Sequence, residues 1–134
     1  HDRRLAEILE AEKVRLVCLA GYMRLLSPWF VGRFAGRILN IHPSLLPAFP
    51  GLDAQRAALE AGVKVSGCTA HFVDVRVDSG PIVLQEAVPV LDGDTPETLA
   101  ARILEKEHVI YSRTIALFFS GRLRIAGRRV VGAG

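Results

Sequence analysis

The alternation of apolar and polar positions divides the 134-residue chain into elements in the order αβαβαββα, followed by a short hairpin. Leu5, Ile8 and Leu9 recur at the spacing of an amphipathic helix, which we place at Asp2–Glu12. The run Val14–Ala20, VRLVCLA, is mostly apolar and is typical of a strand that is buried on both faces of a parallel sheet. This length favours a single domain.

Capping and breaking residues give the bounds of the later elements. Ser27 followed by Pro28 predicts a helix start, and Gly62 and Gly121 predict two helix ends. A helix between two buried strands is typical of an α/β domain, so we predict a mostly parallel sheet flanked by helices. The later elements are helix Pro28–Phe34, strand Gly36–Ile41, helix Ala54–Ala61 capped by Asp53, strands Ser66–Val73 and Ile82–Val90, a helix from Asp94 to about Ser120, and a hairpin of Leu123–Ile125 with Arg129–Val131.

Three polar segments lie where strands of this sheet are expected to end. They are residues 21–26, residues 40–44 and the turn at residues 74–80. Ligands of open α/β sheets bind beyond the carboxyl ends of the strands. We therefore expect the functional site to be built from these three segments.

Asn40 and His42 are two residues apart on an extended segment, so their side chains point to the same side. An amide beside an imidazole suits a carbonyl substrate, because one group holds the oxygen and the other handles charge or protons. Asp78 is a candidate partner that favours the protonated form of His42. The spacing alone fits equally a capping asparagine, a surface histidine and an ordinary turn aspartate, so both interpretations stay open.

Other polar residues give weaker evidence for a place in the functional site. His71 lies in an alternating strand and is predicted to be a core residue beside the site rather than a ligand. No group of residues has the spacing of metal ligands, so we predict that no metal is bound. Leu104, Glu107 and His108 fall on the face of the long helix that is predicted to point inward. The Glu107–His108 pair there is either a satisfied buried pair or a contact to a ligand.

Charge and cysteine content narrow the class of protein. The chain has 17 basic and 14 acidic residues, and four of its arginines lie in the last fourteen positions. A broad nucleic-acid-binding surface is therefore not indicated, and no apolar run is long enough for a membrane span. Cys18 and Cys68 lie among apolar residues, which predicts reduced core thiols in an intracellular, cytoplasmic protein. The positive mean hydropathy predicts that one surface of the domain is covered.

Six motifs in this sequence resemble those of the folate-dependent formyltransferases. They lie in the family's order across nearly the whole chain, which favours the catalytic interpretation of Asn40, His42 and Asp78. The resemblance implies a Rossmann-like formyltransferase fold. The motifs are Ala20–Ser27 (AGYMRLLS), Asn40–Pro47 (NIHPSLLP), Pro50–Leu52 (PGL), His71–Val73 (HFV), Asp78–Ile82 (DSGPI) and Lys106–Tyr111 (KEHVIY).

The resemblance implies that the formyl group of 10-formyltetrahydrofolate passes to the amine of glycinamide ribonucleotide in purine biosynthesis. It implies that Asn40 hydrogen-bonds the formyl oxygen and that His42 stabilises the oxyanion. Asp78 keeps His42 protonated and orders the water that moves the proton. The implied ribonucleotide contacts are Glu107 and Pro43. The implied folate contacts are Met23, Arg24, Leu25 and Leu26 in one segment, and Asp74, Val75, Arg76 and Val77 in another.

The family begins with a strand and a glycine-rich phosphate-binding loop that have no counterpart among these residues. The resemblance therefore implies a single formyltransferase domain over residues 1–134, truncated at its N-terminus, with the catalytic and folate-binding parts. A formyltetrahydrofolate hydrolase with the same Asn–His–Asp set, and a non-catalytic folate-binding fragment, stay open as alternatives. An uncovered apolar edge at Val14–Ala20 would recruit another strand, which predicts a homodimer formed there.

Overall fold

Four helices and six strands form within residues 2–20, 26–76 and 78–134, which are the residues that this computed structural model describes. Their order confirms the predicted αβαβαββα pattern and its terminal hairpin. The elements are α1 (Asp2–Ala11), β1 (Val17–Ala20), α2 (Pro28–Arg33), β2 (Ile38–His42), α3 (Ala54–Ala61), β3 (Val65–Phe72), β4 (Ile82–Pro89), α4 (Pro96–Phe119), β5 (Arg124–Ala126) and β6 (Arg129–Val131).

The described strands form one sheet in the order β1–β2–β3–β4–β6–β5. The pairs β1–β2 and β4–β6 are parallel, whereas β2–β3, β3–β4 and β5–β6 are antiparallel. The predicted α/β class with flanking helices is confirmed, but the sheet within this chain is mixed and has fewer parallel pairs than expected. One reason is that β3 and β4 are joined by a loop without a helix, and a parallel pair would need a longer crossover.

Helices cover both faces of the sheet and produce two separate parts of the core. On one face, α1 and α2 enclose Phe30, Phe34 and Ile38, which are almost fully buried. On the other face, α4 buries Leu99 and Ile103 against the sheet. The end of β2 is shielded from water, since Ile41 and His42 are both buried there.

Strand β1 is shorter and more exposed than the sequence predicts. Lys13 adopts a left-handed conformation with φ of 56°, and the N–H of Val14 donates to the carbonyl of Leu9 at 3.0 Å. This turn at the end of α1 uses residues that the apolar pattern assigned to the strand. The residues of β1 alternate between half-buried and exposed, because among the described strands only β2 pairs with it.

The edge position of β1 also exposes one of the two cysteines. Cys18 is exposed, which corrects the prediction of a core thiol, whereas Cys68 is buried, and burial raises the pKa of its thiol to about 12. The hydroxyl of Tyr111 in α4 lies 2.6 Å from the carbonyl oxygen of Leu19 and 3.0 Å from that of Leu39. It can donate to either, so α4 is bound to both β1 and β2.

Two further predictions near the site need correction. Gly36 has φ of 73° and forms a turn, so β2 begins later than predicted and continues through His42. Asp53 precedes α3 as predicted but its side chain makes no capping hydrogen bond, because its own φ of 55° is left-handed. His42 belongs to the strand because it pairs with Thr69 of β3.

The inward face of α4 is offset from the predicted one. Leu104 and His108 are exposed, and Glu107 is half-buried. The neighbouring position Ile103 takes the inward place because the helix rotates by about 100° per residue. None of the described helices is long and apolar enough to cross a membrane. The buried residues of α4 are Leu99, Ile103, Ile110 and Thr114.

The loop between β3 and β4 passes so close to the end of β3 that only glycine fits at one position. A Cβ on Gly80 would overlap the carbonyl oxygen of Phe72, whereas a Cβ on Gly93 would meet nothing within 4 Å. We predict that Gly80→Ala lowers the free energy of unfolding by about 2 kcal/mol, as overpacking of a tight contact does. Urea unfolding of this variant and of the control Gly93→Ala measures the effect. Equal unfolding midpoints for the two variants would contradict the close contact.

Candidate active site

Strand β2 presents two polar side chains on one face beside two more from β3. Asn40 and His42 are two residues apart in β2, as predicted. Their register partners in β3 are His71 and Thr69, respectively. Because paired residues of an antiparallel ladder share a face, the four side chains form one polar patch. This patch lies where β2 ends.

His42 is buried and contacts the protein through both ring nitrogens. Its side chain is 6% exposed, Nε2 lies 2.8 Å from the carbonyl oxygen of Phe49, and Nδ1 lies 3.5 Å from Oδ2 of Asp78. A carbonyl oxygen can only accept, so Nε2 carries a proton and donates to it. A proton on Nδ1 would then face a carboxylate, which means that the charged imidazolium is complementary to its surroundings.

Asp78 connects the loop after β2 to both histidines. Its Oδ2 accepts a hydrogen bond from the N–H of Gly51 at 2.8 Å. Its Oδ1 lies 3.9 Å from Nε2 of His71. The φ of Asp78 is 49°, a left-handed conformation that aspartate tolerates better than most residues. Asp78 therefore lies beside His42, and its predicted effect on the charge of His42 stays a prediction.

His71 supports the site from the core, as its position in an alternating strand predicts. It is 2% exposed, and its Nδ1 lies 2.9 Å from the carbonyl oxygen of Phe72. Burial lowers the pKa of His71, although that hydrogen bond and the charge of Asp78 act in the opposite direction. The neutral imidazole therefore donates through Nδ1 and presents the lone pair of Nε2 towards Asp78.

The loop that contacts His42 and Asp78 is held by a buried network of hydrogen bonds. The hydroxyl of Thr69 donates to the carbonyl of Ser44 at 2.7 Å and accepts from the N–H of Leu46 at 3.1 Å. The amide of Gln85 donates to the carbonyl of Leu46 at 2.9 Å. The hydroxyl of Ser44 donates to the carbonyl of Ala48 at 2.5 Å. These bonds fix the loop before any ligand arrives.

Asn40 has an unused hydrogen-bonding group. Its Oδ1 is buried and has no hydrogen-bond partner among the described residues. An unpaired buried polar atom is costly, by about 1–3 kcal/mol, and most such atoms in proteins have a partner. The unpaired Oδ1 therefore favours a polar ligand, and the amide of Asn40 offers it both a donor and an acceptor.

The loop after β3 contains the other charged groups near Asp78. Asp74 forms an ion pair with Arg76 at 2.6 Å and also accepts from the backbone N–H of Arg76. Val75 between them is 64% exposed. The Asp78 carboxylate lines an open pocket of about 350 Å³, together with Arg128 and several apolar side chains. The exposed apolar and charged groups of this loop are available to a ligand.

Some of the remaining predicted site residues lie in the core or near His42, and others lie outside the described residues. Leu26 is half-buried and packs against the core between α1 and α2, and Pro43 is half-buried beside His42. Burial raises the pKa of Glu107, and the charges of His108 and His42 partly oppose this, so Glu107 lies within electrostatic range of the site. Met23, Arg24, Leu25 and Val77 lie outside the described residues.

Two partners in the site were not predicted from the sequence. The carbonyl of Phe49 and the N–H of Gly51 are backbone groups, so no residue type marks them. The density of prolines in residues 43–50 was the one available signal, since it indicates a loop of fixed shape. Among the described residues, no group of three or more His, Cys, Asp or Glu side chains could hold a metal ion.

Comparison with known proteins gives consistent matches. Residues 1–115 match the formyl transferase family. The chain is 47% identical over 125 residues to phosphoribosylglycinamide formyltransferase of Escherichia coli K12, which covers 93% of this chain and 59% of that protein. It is 53% identical over 124 residues to the trifunctional purine biosynthetic protein adenosine-3 of Drosophila pseudoobscura pseudoobscura, which covers 92% of this chain and 9% of that protein.

Solved structures agree with the match to the formyl transferase family. The crystal structure of glycinamide ribonucleotide transformylase 1 from Symbiobacterium toebii superposes with a TM-score of 0.94 at 66% identity, and the match covers 96% of this chain and 61% of that one. A formyltetrahydrofolate deformylase from Pseudomonas syringae superposes with a TM-score of 0.93 at 28% identity, over 44% of its length. The chain thus spans less than two thirds of the relatives it matches.

The low pKa of His71 makes stability depend on pH in a defined direction. Below about pH 6.5, an unfolded histidine takes up a proton that the buried His71 does not, so the free energy of unfolding falls as the pH falls. We predict that lowering the pH from 7.5 to 5.5 reduces the free energy of unfolding of His71→Gln by about 1 kcal/mol less than that of the wild type. Urea unfolding at both pH values checks this, with the exposed His108→Gln as control. An unchanged pH dependence in His71→Gln would contradict it.

Proposed function

This chain belongs to the formyl transferase family, and on that premise we propose that it transfers the formyl group of 10-formyltetrahydrofolate to the amine of glycinamide ribonucleotide. The observation that carries the proposal is the juxtaposition of Asn40 with its free Oδ1, His42 and Asp78 at the end of β2. The identity to phosphoribosylglycinamide formyltransferase of Escherichia coli supports this choice of substrate. The reaction would serve de novo purine biosynthesis.

The first step forms a tetrahedral intermediate. The substrate amine attacks the formyl carbon, a new C–N bond forms, and the formyl oxygen becomes an oxyanion. The amide N–H of Asn40 donates to this oxyanion. The imidazolium of His42, whose two ring nitrogens face Phe49 and Asp78, stabilises it through its positive charge on the same face of β2. Stabilisation of an oxyanion by fixed donors is usually the largest contribution to catalysis.

The second step breaks the bond between the formyl carbon and the folate nitrogen. The proton lost by the attacking amine has to reach that nitrogen, and tetrahydrofolate then leaves. Asp78 supports this transfer in two ways, since its carboxylate faces His42 and lies partly open to the pocket beside it. It places a negative charge beside the imidazole ring, and it orders the water that carries the proton.

We assign the two substrates to different parts of the site. Folate contacts are proposed for residues 23–26 and for Asp74, Val75, Arg76 and Val77, and the exposed Val75 supports this for the second segment. Ribonucleotide contacts are proposed for Pro43 and Glu107, because the charge of His42 reaches Glu107. Folate enters as a co-substrate, and no metal takes part in these steps.

Two alternatives predict different products. A formyltetrahydrofolate hydrolase would use water as the nucleophile and release formate without the amine substrate, and the 28% identity to the Pseudomonas deformylase makes it the less favoured choice. A non-catalytic folate-binding fragment would bind folate without turnover. An assay of formate release and of formylated product, with and without glycinamide ribonucleotide, separates the three.

We predict that Asn40→Ala and His42→Ala each lower formyl-transfer turnover by ~100-fold or more, which is the usual cost of losing one oxyanion donor. Steady-state kinetics with both substrates measures this. Gln55→Ala is the matched control, because Gln55 lies on α3 and its side chain makes no hydrogen bond to another described residue. Near-normal turnover in either site variant would refute the assignment.

We also propose that β1 pairs with the β1 of a second copy, giving a homodimer in the cytoplasm. The support is that β1 lies at one edge of the described sheet and consists of apolar residues, VCLA. An open edge of this kind pairs readily with another strand. The free thiols support an intracellular location.

The homodimer predicts a concentration-dependent sedimentation coefficient. Sedimentation velocity over a hundredfold range of protein concentration should show a monomer–dimer equilibrium, and Leu19→Lys on β1 should shift it to the monomer by placing charge at the edge. Leu91→Lys is the control, since Leu91 is exposed and lies outside the sheet. A folded monomer at every concentration would exclude this dimer.

A further inference from the structure

The basic residues near the C-terminus include one with a specific contact to the site. Arg128 lies in the turn between β5 and β6, next to Gly127, whose φ is 64°. Its Nη2 donates to the carbonyl oxygen of Ser79 at 2.6 Å, and Ser79 directly follows Asp78. This is the short distance of a charge-assisted hydrogen bond. The terminal hairpin therefore touches the loop that carries Asp78.

The hairpin is anchored independently of that contact. Arg129 pairs with Ile82 in the parallel ladder between β6 and β4, and β5 pairs with β6 along their whole length. The backbone of Arg128 is thus fixed by the sheet. Because its anchor is rigid, its guanidinium can hold the Ser79 carbonyl in one place.

Asp78 needs such a support because its backbone conformation is unfavourable and the chain beside it is tightly packed. Its φ is left-handed, and Gly80 two residues later is pressed against the carbonyl of Phe72. Its carboxylate meets the N–H of Gly51 at 2.8 Å but His42 at 3.5 Å, so a small shift of the backbone would change both contacts. The Ser79 carbonyl is the neighbouring backbone group through which that shift can be prevented.

Arg128 also acts on the other end of the same loop. Burial alone would raise the pKa of Asp74, but hydrogen bonds from Arg76 and the charges of Arg76 and Arg128 lower it. Arg128 and Asp78 line the same open pocket, with Pro50 as one of the apolar walls. The positive charge of Arg128 therefore acts on Asp74, while its one hydrogen bond to the described residues goes to the carbonyl of Ser79 beside Asp78.

We propose that Arg128 is a positioning residue for Asp78, acting through the carbonyl of Ser79, with the terminal hairpin as the anchor of its backbone. The functional half of this inference rests on the proposed formyl transfer. The structural half, that Arg128 fixes the Asp78 carboxylate, stands without it. Two measurements keep the halves apart.

The first measurement is hydrogen exchange of the Gly51 amide, which reports directly on its bond to Asp78. In Arg128→Met, we expect this amide to exchange about 5- to 30-fold faster, the factor that one or two kcal/mol produces. Amides of Leu99 and Ile103 in α4 should keep their wild-type rates. The control Arg129→Met removes the same charge from a side chain that has no hydrogen bond or ion pair with the described residues, so it should leave Gly51 unchanged.

The second measurement is formyl transfer by the same variants. Arg128→Met should lower kcat by about 5- to 30-fold while KM for each substrate changes by less than about twofold. Arg128→Lys should recover part of the loss, since an ammonium can still donate to Ser79. Arg129→Met should keep the wild-type kcat.

Each outcome tests either the positioning of Asp78 by Arg128 or the effect of that positioning on catalysis. Unchanged Gly51 exchange in Arg128→Met, or equal acceleration of Gly51 and the α4 amides, overturns the positioning role. Faster Gly51 exchange with an unchanged kcat overturns the catalytic role. A wild-type protein without any formyl transfer overturns the proposed function, and the exchange experiment then still decides whether Arg128 fixes Asp78.

Discussion

The carboxylate of Asp78 is the contact on which the rest of the site depends, because three separate parts of the chain meet there. It accepts from Gly51 in the loop after β2, faces His42 at the end of β2 and approaches His71 in β3. The side chain that faces Nδ1 of His42 at 3.5 Å thus comes from a residue 36 positions later in the chain. The polar patch therefore exists only when the loop and both strands have folded together.

Backbone conformation contributes to this site as much as side chains do. Phe49 and Asp78, the residues whose carbonyl and carboxylate face His42, both have left-handed φ values, 51° and 49°. Such conformations are unfavourable for residues other than glycine, and they persist where surrounding bonds enforce them. At Phe49 the hydroxyl of Ser44 donates to the carbonyl at 3.2 Å. At Asp78 the carboxylate accepts from the N–H of Gly51, and Arg128 donates to the next carbonyl, that of Ser79. The fixed loop spares the protein a rearrangement when charge develops on a substrate.

The sequence predicted most of the elements and the central side chains, and the reasons are local. The spacing of Asn40 and His42 and the alternation around His71 are properties of single strands, so they could be recognised without the fold. The short β1 was missed because Lys13 adopts a turn that its residue type does not mark. The carbonyl of Phe49 and the contact from Arg128 were missed because partners distant in sequence leave no pattern.

The hydroxyl of Tyr111 affects which part of the protein unfolds first. It is shared between carbonyls of β1 and β2, and it comes from the middle of α4. If β1 frays from the sheet edge, this hydroxyl loses one of its acceptors, so fraying of the strand is opposed by the long helix. The edge strand and α4 thus belong to one cooperative unit, and the earliest partial unfolding should begin elsewhere, at elements with fewer buried contacts.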